Sequence, residues 1–342
     1  MTRRLGIAMV LVALVASGCK GSAERAQGSE AELRLGIFPN LTHAPGLVAI
    51  ASGILEETLA PTKVDLKVFN SGKEAQTAIL AGSLDATYIG PSPTATLYLK
   101  SKRVAVISGA TANGASLVVR KGSGITQPSD LHGKKVAVPG IGNTQDIALR
   151  AWLADNGLTP KEEGGDVGIL AVDNPQLPQV FRSGDVDAAW EPEPWPSVLI
   201  DAGLATRLVD EAELWPGGEF VTTNLIASTG YLDAHPEVIR KLVEANVKAI
   251  QLMQDDPVRA KELANQQLAE VGAATLSTEV LDQAWEALTF TWDPLASSLT
   301  ATAEHAHELG LLEEDPADLD GVYRLDDLNA VLSELGLSEI EL

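Results

Sequence analysis

Short apolar segments that read as β-strands alternate with helical segments over the first two thirds of the chain. The pattern predicts strands at Glu32–Phe38, Val64–Phe69, Ala86–Ile89, Val104–Ala110, Leu117–Arg120, Val136–Val138, Val167–Val172, Thr206–Asp210 and Phe220–Ser228. After Gly230 it predicts only helices, at His235–Asp255, Pro257–Val271, Thr278–Leu288, Pro294–Leu309 and Leu325–Leu335. Strands that alternate with helices are typical of α/β proteins with mainly parallel sheets.

The stretch Val136–Leu153 combines a buried strand, a glycine loop and the first turns of a helix. Gly140 and Gly142 end the strand, and Asn143 or Thr144 can cap the helix. Such a junction directs free N–H groups and the positive end of the helix dipole toward one point. That point suits an oxyanion without any Lys or Arg. Taken alone, the stretch is equally well explained as a structural glycine turn.

Similar junctions, each starting with small polar residues or glycine, recur along the chain. The residues at these junctions are Asn40, Thr42 and His43, then Ser71, and then Gly90 and Ser92. Because ligands of open α/β sheets bind outside the carboxyl ends of the strands, we expect these residues to lie close together. For His43, a capping or surface role is the alternative to a ligand contact.

A weak internal repeat indicates two similar α/β lobes. Residues 81–87 and 183–189 both read as the end of a helix, a glycine turn, an aspartate and a short strand. The 342 residues, of which 45% are hydrophobic, are enough for two ordinary domains with sizeable cores. Two lobes that present their strand ends face to face form a cleft.

The composition is strongly acidic, with a formal net charge of −22. Nucleic acid and anionic membrane surfaces would be repelled by such a protein, so neither is expected as a partner. A small anionic ligand remains compatible with this charge, because local N–H dipoles can outweigh a screened global field.

Residues 1–18 have the features of a secretory signal peptide. Basic residues precede the apolar run Leu5–Ala16, and Cys19 follows at the expected cleavage point. The pattern resembles a bacterial lipobox, although Ala16 occupies the position where Leu is usual. Residues 19–31 then read as a flexible tether between a lipid anchor and the folded body. We therefore expect an exported, lipid-anchored protein; the alternative is an ordinary signal peptide with an incidental cysteine.

Four segments together resemble the substrate-binding proteins of ABC importers, in the branch that takes aliphatic sulfonates, taurine and nitrate. They are ATYIGPSP at residues 86–93, GKKVA at 133–137, GNTQ at 142–145 and WEPEPW at 190–195. The resemblance covers essentially the whole mature chain, and the combination is more specific than any single segment.

The resemblance implies a two-lobed periplasmic-binding-protein fold of type II with a helical C-terminal extension. It implies two crossover strands, which we place near Ala112–Ser116 and Thr222–Ile226. The first lobe would comprise residues 32–113 and 226–342, and the second lobe residues 114–225. It also implies hinge closure on a small solute and docking onto an ABC permease, and we expect a monomer.

The WEPEPW segment offers aromatic and acidic side chains beside the expected cleft. Trp190 ends a strand, so we predict that it faces the cleft, where its indole N–H can donate to an anion. Glu191 could accept a hydrogen bond from an amino group of the ligand. Core packing is the alternative for Trp190. For Trp195, in the following helix, packing is the preferred interpretation.

These observations favour a non-enzymatic binding protein for a small oxyanion, in the first place an aliphatic sulfonate. Nitrate, bicarbonate, phosphonate or an uncharged heterocycle are alternative ligands. An enzyme related to pyrimidine synthases is the alternative of a different class, but their cysteine-rich motif is missing. No cofactor is expected, and no metal site, because His305 and His307 lie on nearly opposite faces of a helix. The predicted ligand-binding residues are Asn40, Thr42, His43, Ser71, Gly90, Ser92, Gly142, Asn143, Thr144, Trp190 and Glu191.

Overall fold

The computed structural model describes residues 31–342 of the chain. The predicted signal peptide, the predicted lipidation site Cys19 and residues 20–30 of the predicted tether lie outside the described residues. Within residues 31–342, no helix combines the length and the apolar character needed to cross a membrane.

Strands and helices alternate as the hydrophobic pattern predicts. The strands are β1 (Glu32–Ile37), β2 (Lys63–Val68), β3 (Ala86–Ile89), β4 (Val104–Asn113), β5 (Ala115–Arg120), β6 (Lys135–Val138), β7 (Gly168–Ala171), β8 (Ala188–Pro192), β9 (Ala205–Asp210), β10 (Val221–Ser228) and β11 (Leu288–Phe290). The α-helices are α1 (Ala44–Ala51), α2 (Ile54–Leu59), α3 (Gly72–Leu80), α4 (Pro91–Ser101), α5 (Thr144–Asp155), α6 (Leu177–Ser183), α7 (Trp195–Asp201), α8 (Thr229–Ala234), α9 (Pro236–Asp255), α10 (Pro257–Glu270), α11 (Thr278–Glu286), α12 (Ala296–Glu308) and α13 (Asp326–Glu334). Short 3-10 helices lie at Leu41–His43, Pro128–Leu131, Lys161–Glu163, Asn174–Gln176, Glu211–Leu214, Pro216–Gly218 and Pro316–Leu319.

The strands form two sheets, and each sheet with its helices is called a lobe. In the first lobe the strand order is β11-β4-β10-β3-β1-β2, and β1 runs parallel to both β2 and β3. In the second lobe the order is β7-β6-β8-β5-β9, and β6 runs parallel to both β7 and β8. Because the parallel strands of each lobe end toward the other lobe, the loops that follow them meet between the lobes.

Buried apolar side chains cover both faces of the second sheet. Leu117, Val136 and Trp190 are buried on one face, and Val118 and Phe181 on the other. A sheet covered on both faces reads as nearly continuous apolar sequence, which is the pattern seen in the segment KVAV of β6. This packing fixes the strand ends from which the site is built.

The chain crosses from the first lobe to the second at Gly114, which lies between β4 and β5. Its φ of +74° is a left-handed conformation, and a Cβ atom there would lie 2.1 Å from Leu288 Cδ2, so glycine is strongly favoured. The return crossing comprises residues 211–220, between β9 and β10. The predicted second crossover, Thr222–Ile226, lies instead inside β10, which pairs with β4 of the first sheet over its length. The lobe boundary predicted at residues 225 and 226 therefore falls within a strand of the first lobe.

The C-terminal region is helical except at β11, where the sequence analysis predicted a continuous helix to Leu288. The helix α11 ends at Glu286, and Leu288–Phe290 pairs antiparallel with the outer edge of β4. The edge of β4 offers unpaired backbone groups at this point, and an added strand satisfies them. This strand also packs Phe290 against Trp285.

Candidate functional site

A small cavity of about 60 Å³ lies between the lobes, where the loops after the parallel strands meet. The first turns of the 3-10 helix Leu41–His43, of α3 and of α5 all border it. We call it the interlobe cavity. It is lined by Phe38, Asn40, Thr42, His43, Asn70, Ser71, Gly72, Ile89, Gly90, Pro93, Pro139, Asn143, Thr144, Gln145, Asn174, Pro192, Thr222 and Thr223.

Among residues 31–342, no Lys, Arg, Asp or Glu belongs to this lining. The polar lining consists instead of hydroxyl and amide side chains, together with the imidazole of His43. The hydroxyl and amide residues are Asn40, Thr42, Asn70, Ser71, Asn143, Thr144, Gln145, Asn174, Thr222 and Thr223. A solute in this cavity is therefore held by hydrogen bonds and backbone dipoles rather than by ion pairs.

The start of α5 supplies backbone donors to the cavity. Among the residues described, the N–H groups of Thr144 and Gln145 have no acceptor, as expected for the first turn of a helix. The N–H groups of Gly142 and Asn143, two of the predicted ligand-binding residues, are already paired within the chain. The N–H of Gly142 donates to Asp146 Oδ2 at 2.8 Å, and that of Asn143 donates to Gly140 O at 3.1 Å.

His43 is almost completely buried beside Phe38 and Tyr88, with ring centroids 4.7 and 6.3 Å away. Burial disfavours the charged imidazolium and lowers the pKa of His43 to about 3. Its Nδ1 atom has no hydrogen-bond partner in the described part of the chain. His43 is therefore neutral at physiological pH, and offers the cavity a polar ring without a positive charge.

Two predicted junction residues have mainly structural roles. Ser71 caps α3, because its side chain accepts a hydrogen bond from the N–H of Glu74 at 3.4 Å. Ser92 does not line the cavity; its hydroxyl donates to Gly142 O in the other lobe at 2.9 Å. The adjacent Gly90 does line the cavity, but α4 begins Pro-Ser-Pro and offers few backbone N–H groups.

The prediction that Trp190 faces the cleft is wrong. The side chain is fully buried in the core of the second lobe, edge-on to Trp152, and its Nε1 donates to Glu211 Oε2 at 2.6 Å. The reason is strand parity: Trp190 lies within β8 and shares a face with Ala188, which points into the same core. Burial raises the pKa of Glu211 to about 7, although the bond from Trp190 opposes this shift.

The sequence favours a packing role for Trp195, yet its side chain contacts Asn40 in the wall of the cavity across the lobes. Its Nε1 donates to Asn40 Oδ1 at 2.9 Å. Trp195 is the first residue of α7, shortly after β8 ends, and this places the indole at the carboxyl edge of the sheet. The spacing between the end of β8 and the helix could have indicated this position.

Glu191 lies behind the cavity wall rather than in it. It is fully buried, and burial raises the pKa of its carboxyl well above the usual range. The side-chain amide of Asn174 is oriented so that it forms two hydrogen bonds. Its nitrogen donates to Glu191 Oε2 at 3.2 Å, and its oxygen accepts from Trp195 Nε1 at 3.0 Å. Asn174 was not predicted, nor were Thr222 and Thr223 of β10.

Comparison with known proteins identifies the family. The model of the NMT1-like family matches residues 26–268. The chain belongs to this family. Among curated relatives, the taurine-binding periplasmic protein of Escherichia coli (strain K12) is 28% identical over 209 residues, which are 60% of this chain and 62% of that protein. The matched region thus spans less than two thirds of that relative's own length.

Solved structures show the same fold. The alkanesulfonate-binding protein SsuA from Xanthomonas axonopodis pv. citri, bound to MOPS, is 21% identical with a TM-score of 0.71; the match covers 83% of this chain and 95% of that one. The periplasmic nitrate-binding protein NrtA from Synechocystis PCC 6803 is 17% identical with a TM-score of 0.75, covering 90% and 89%. The predicted two-lobed periplasmic-binding-protein fold is confirmed.

Proposed function

We propose that this protein is an exported, non-enzymatic solute-binding protein that captures a small aliphatic sulfonate and delivers it to an ABC permease. The observation that carries this proposal is the interlobe cavity, which combines hydroxyl, amide and helix N-terminal donors with the absence of any charged lining residue. The taurine-binding and alkanesulfonate-binding names of its relatives agree with this chemistry.

A sulfonate matches such a cavity because it stays ionised at physiological pH and exchanges no proton. It needs donors, and the cavity offers Thr42, Thr144 and the N–H groups at the start of α5. A hydrogen bond to a charged acceptor contributes about 1.5–3 kcal/mol. Four or five such bonds are enough for micromolar binding once the cost of association is subtracted.

Closure of the lobes would complete the cavity. The crossings at Gly114 and residues 211–220 join the lobes, and direct contacts link them across the cavity. These contacts include Ser92 to Gly142 and Trp195 to Asn40. A solute that hydrogen-bonds to both lobes stabilises the closed form, which is the form that a permease would recognise.

Isothermal titration calorimetry with taurine, ethanesulfonate, nitrate, bicarbonate and methylphosphonate tests the proposal. We expect a sulfonate to bind most tightly at one site. The variant Thr144→Ala should bind it about tenfold more weakly, because one hydrogen bond to a charged acceptor is lost. Thr77→Ala is the matched control, since Thr77 is a helical threonine whose hydroxyl bonds to Lys73 O outside the cavity. Equal affinities for wild type and Thr144→Ala would show that the site is elsewhere.

Anchoring through Cys19, which lies outside the described residues, is part of the same proposal. Replacement of Cys19 by Ser should release the exported protein from the membrane fraction, because the lipid chains that hold it cannot be attached. Fractionation of cells that produce either form, followed by immunoblotting, measures this. A wild-type protein found mainly in the soluble exported fraction would contradict lipid anchoring and leave solute binding untouched.

A further inference from the structure

A second, larger cavity lies on the far side of Trp195 from the interlobe cavity. Its volume is about 390 Å³, and both lobes contribute to it. Its lining is mainly apolar and includes Pro39, Pro175, Pro194, Trp195, Leu268 and Val280. We call this cavity the apolar groove.

One layer of side chains separates the two cavities. Asn40 and Asn174 line the interlobe cavity, and their chain neighbours Pro39 and Pro175 line the apolar groove. Trp195 closes the gap between them. Its Nε1 lies 2.9 Å from Asn40 Oδ1 and, with the Asn174 amide oriented as described above, 3.0 Å from the side-chain oxygen of Asn174.

This partition is held from both lobes. Asn40 belongs to the first lobe, whereas Asn174 and Trp195 belong to the second, so the layer forms only when the lobes meet. Glu191 supports Asn174 from behind, at 3.2 Å from the amide nitrogen. Asn40 and Asn174 line the interlobe cavity, and the indole ring of Trp195 forms part of the wall of the apolar groove.

We propose that the Asn40–Trp195–Asn174 layer sets the maximum length of the solute. The inference rests on the proposed function, and it narrows the substrate to a compact oxyanion with a tail of one or two carbons. The interlobe cavity has a volume of about 60 Å³, and the larger apolar groove behind the layer is the apolar space that a longer tail would fill. In the closed protein, the layer blocks the tail of the solute from reaching the apolar groove.

Removal of the indole should join the two cavities. In the variant Trp195→Ala, the tail of a longer alkanesulfonate can extend past Asn40 into the apolar groove while its sulfonate stays among the same donors. Each methylene buried in this way raises affinity by up to about fourfold. The affinity of the wild type should not rise for sulfonates longer than ethanesulfonate.

Calorimetry with methane-, ethane-, butane-, hexane- and octanesulfonate measures the two profiles. We expect the affinity of Trp195→Ala to rise with chain length up to at least hexanesulfonate, and that of the wild type to fall after ethanesulfonate. Trp195→Leu opens the layer less, so its affinity should rise less steeply with chain length. This variant replaces Trp195→Ala in the experiment if the alanine variant does not fold. Trp285→Phe is the matched control, because Trp285 is 9% exposed, like Trp195, and lines neither cavity.

The outcomes separate this inference from the proposed function. Tight wild-type binding of ethanesulfonate with a flat profile in both Trp195 variants overturns the partition alone. A wild type that gains affinity with every methylene as steeply as Trp195→Ala also overturns it. Failure of the wild type to bind any of the sulfonates contradicts the proposed function, and the partition with it.

Discussion

Replacement of Trp190 by Ala is expected to lower the free energy of unfolding by about 3–5 kcal/mol, the range measured for large aromatic residues deleted from cores. The side chain is fully buried against Trp152, so its loss leaves a cavity in the second lobe. It also removes the N–H group that donates to Glu211, a carboxyl that is itself completely buried. Equilibrium denaturation of the unliganded protein, followed by circular dichroism, measures the change.

The variant Trp190→Phe separates packing from hydrogen bonding. It keeps most of the apolar volume but loses the indole N–H and part of the ring, so it should cost less than the alanine variant. Under conditions where each variant is folded, the solute affinity should stay within a few fold of wild type, because Trp190 does not line the interlobe cavity. A variant that no longer binds the solute but has the unfolding free energy of the wild type would show that Trp190 takes part in the binding site.

Replacement of Gly90 by Ala is expected to weaken solute binding about tenfold to a hundredfold without unfolding the protein. A Cβ atom at Gly90 would lie 2.5 Å from Thr144 Oγ1 in the opposite lobe, closer than any real contact. The backbone of Gly90 has a φ of −70°, which alanine adopts without strain. The added methyl group therefore acts on closure of the lobes, and an overpacked contact costs about 1–3 kcal/mol.

Gly230→Ala is the matched control, because a Cβ atom there meets nothing within 4 Å. Small-angle scattering should show that the solute compacts the wild type and Gly230→Ala, but not Gly90→Ala. Unfolding of the unliganded variants should be nearly the same. Wild-type affinity and full compaction of Gly90→Ala would mean that the lobes bind solute without the contact between Gly90 and Thr144.

The sequence was sufficient to predict the layers of this protein and much of its cavity. Alternating strand and helix patterns, with small polar residues after the strands, placed Asn40, Thr42, Ser71, Asn143 and Thr144 at one edge, and all five line the interlobe cavity. These residues follow parallel strands directly, so their position depends on local order along the chain. A hydrophobic pattern predicts where each strand ends, and so it also predicts which residues follow that strand.

The errors came from features that depend on tertiary contacts. Trp190 was assigned to the cleft because the end of β8 was placed two residues too early; the strand extends to Pro192. The second crossover was misplaced because nothing local marks which sheet Val221–Ser228 joins. Asn174 and Thr223 reach the cavity only through the packing of the lobes, and no motif surrounds them.

A crystal structure of the protein grown with ethanesulfonate tests the central claim most directly, because it locates the bound anion. The account predicts the sulfonate in the interlobe cavity, with its oxygens about 2.7–3.2 Å from the N–H groups of Thr144 and Gln145. It also predicts no Lys or Arg in contact with the sulfonate, and an intact layer of Asn40, Trp195 and Asn174. A sulfonate bound in the apolar groove or beside a surface cation, with only water between the lobes, would contradict it.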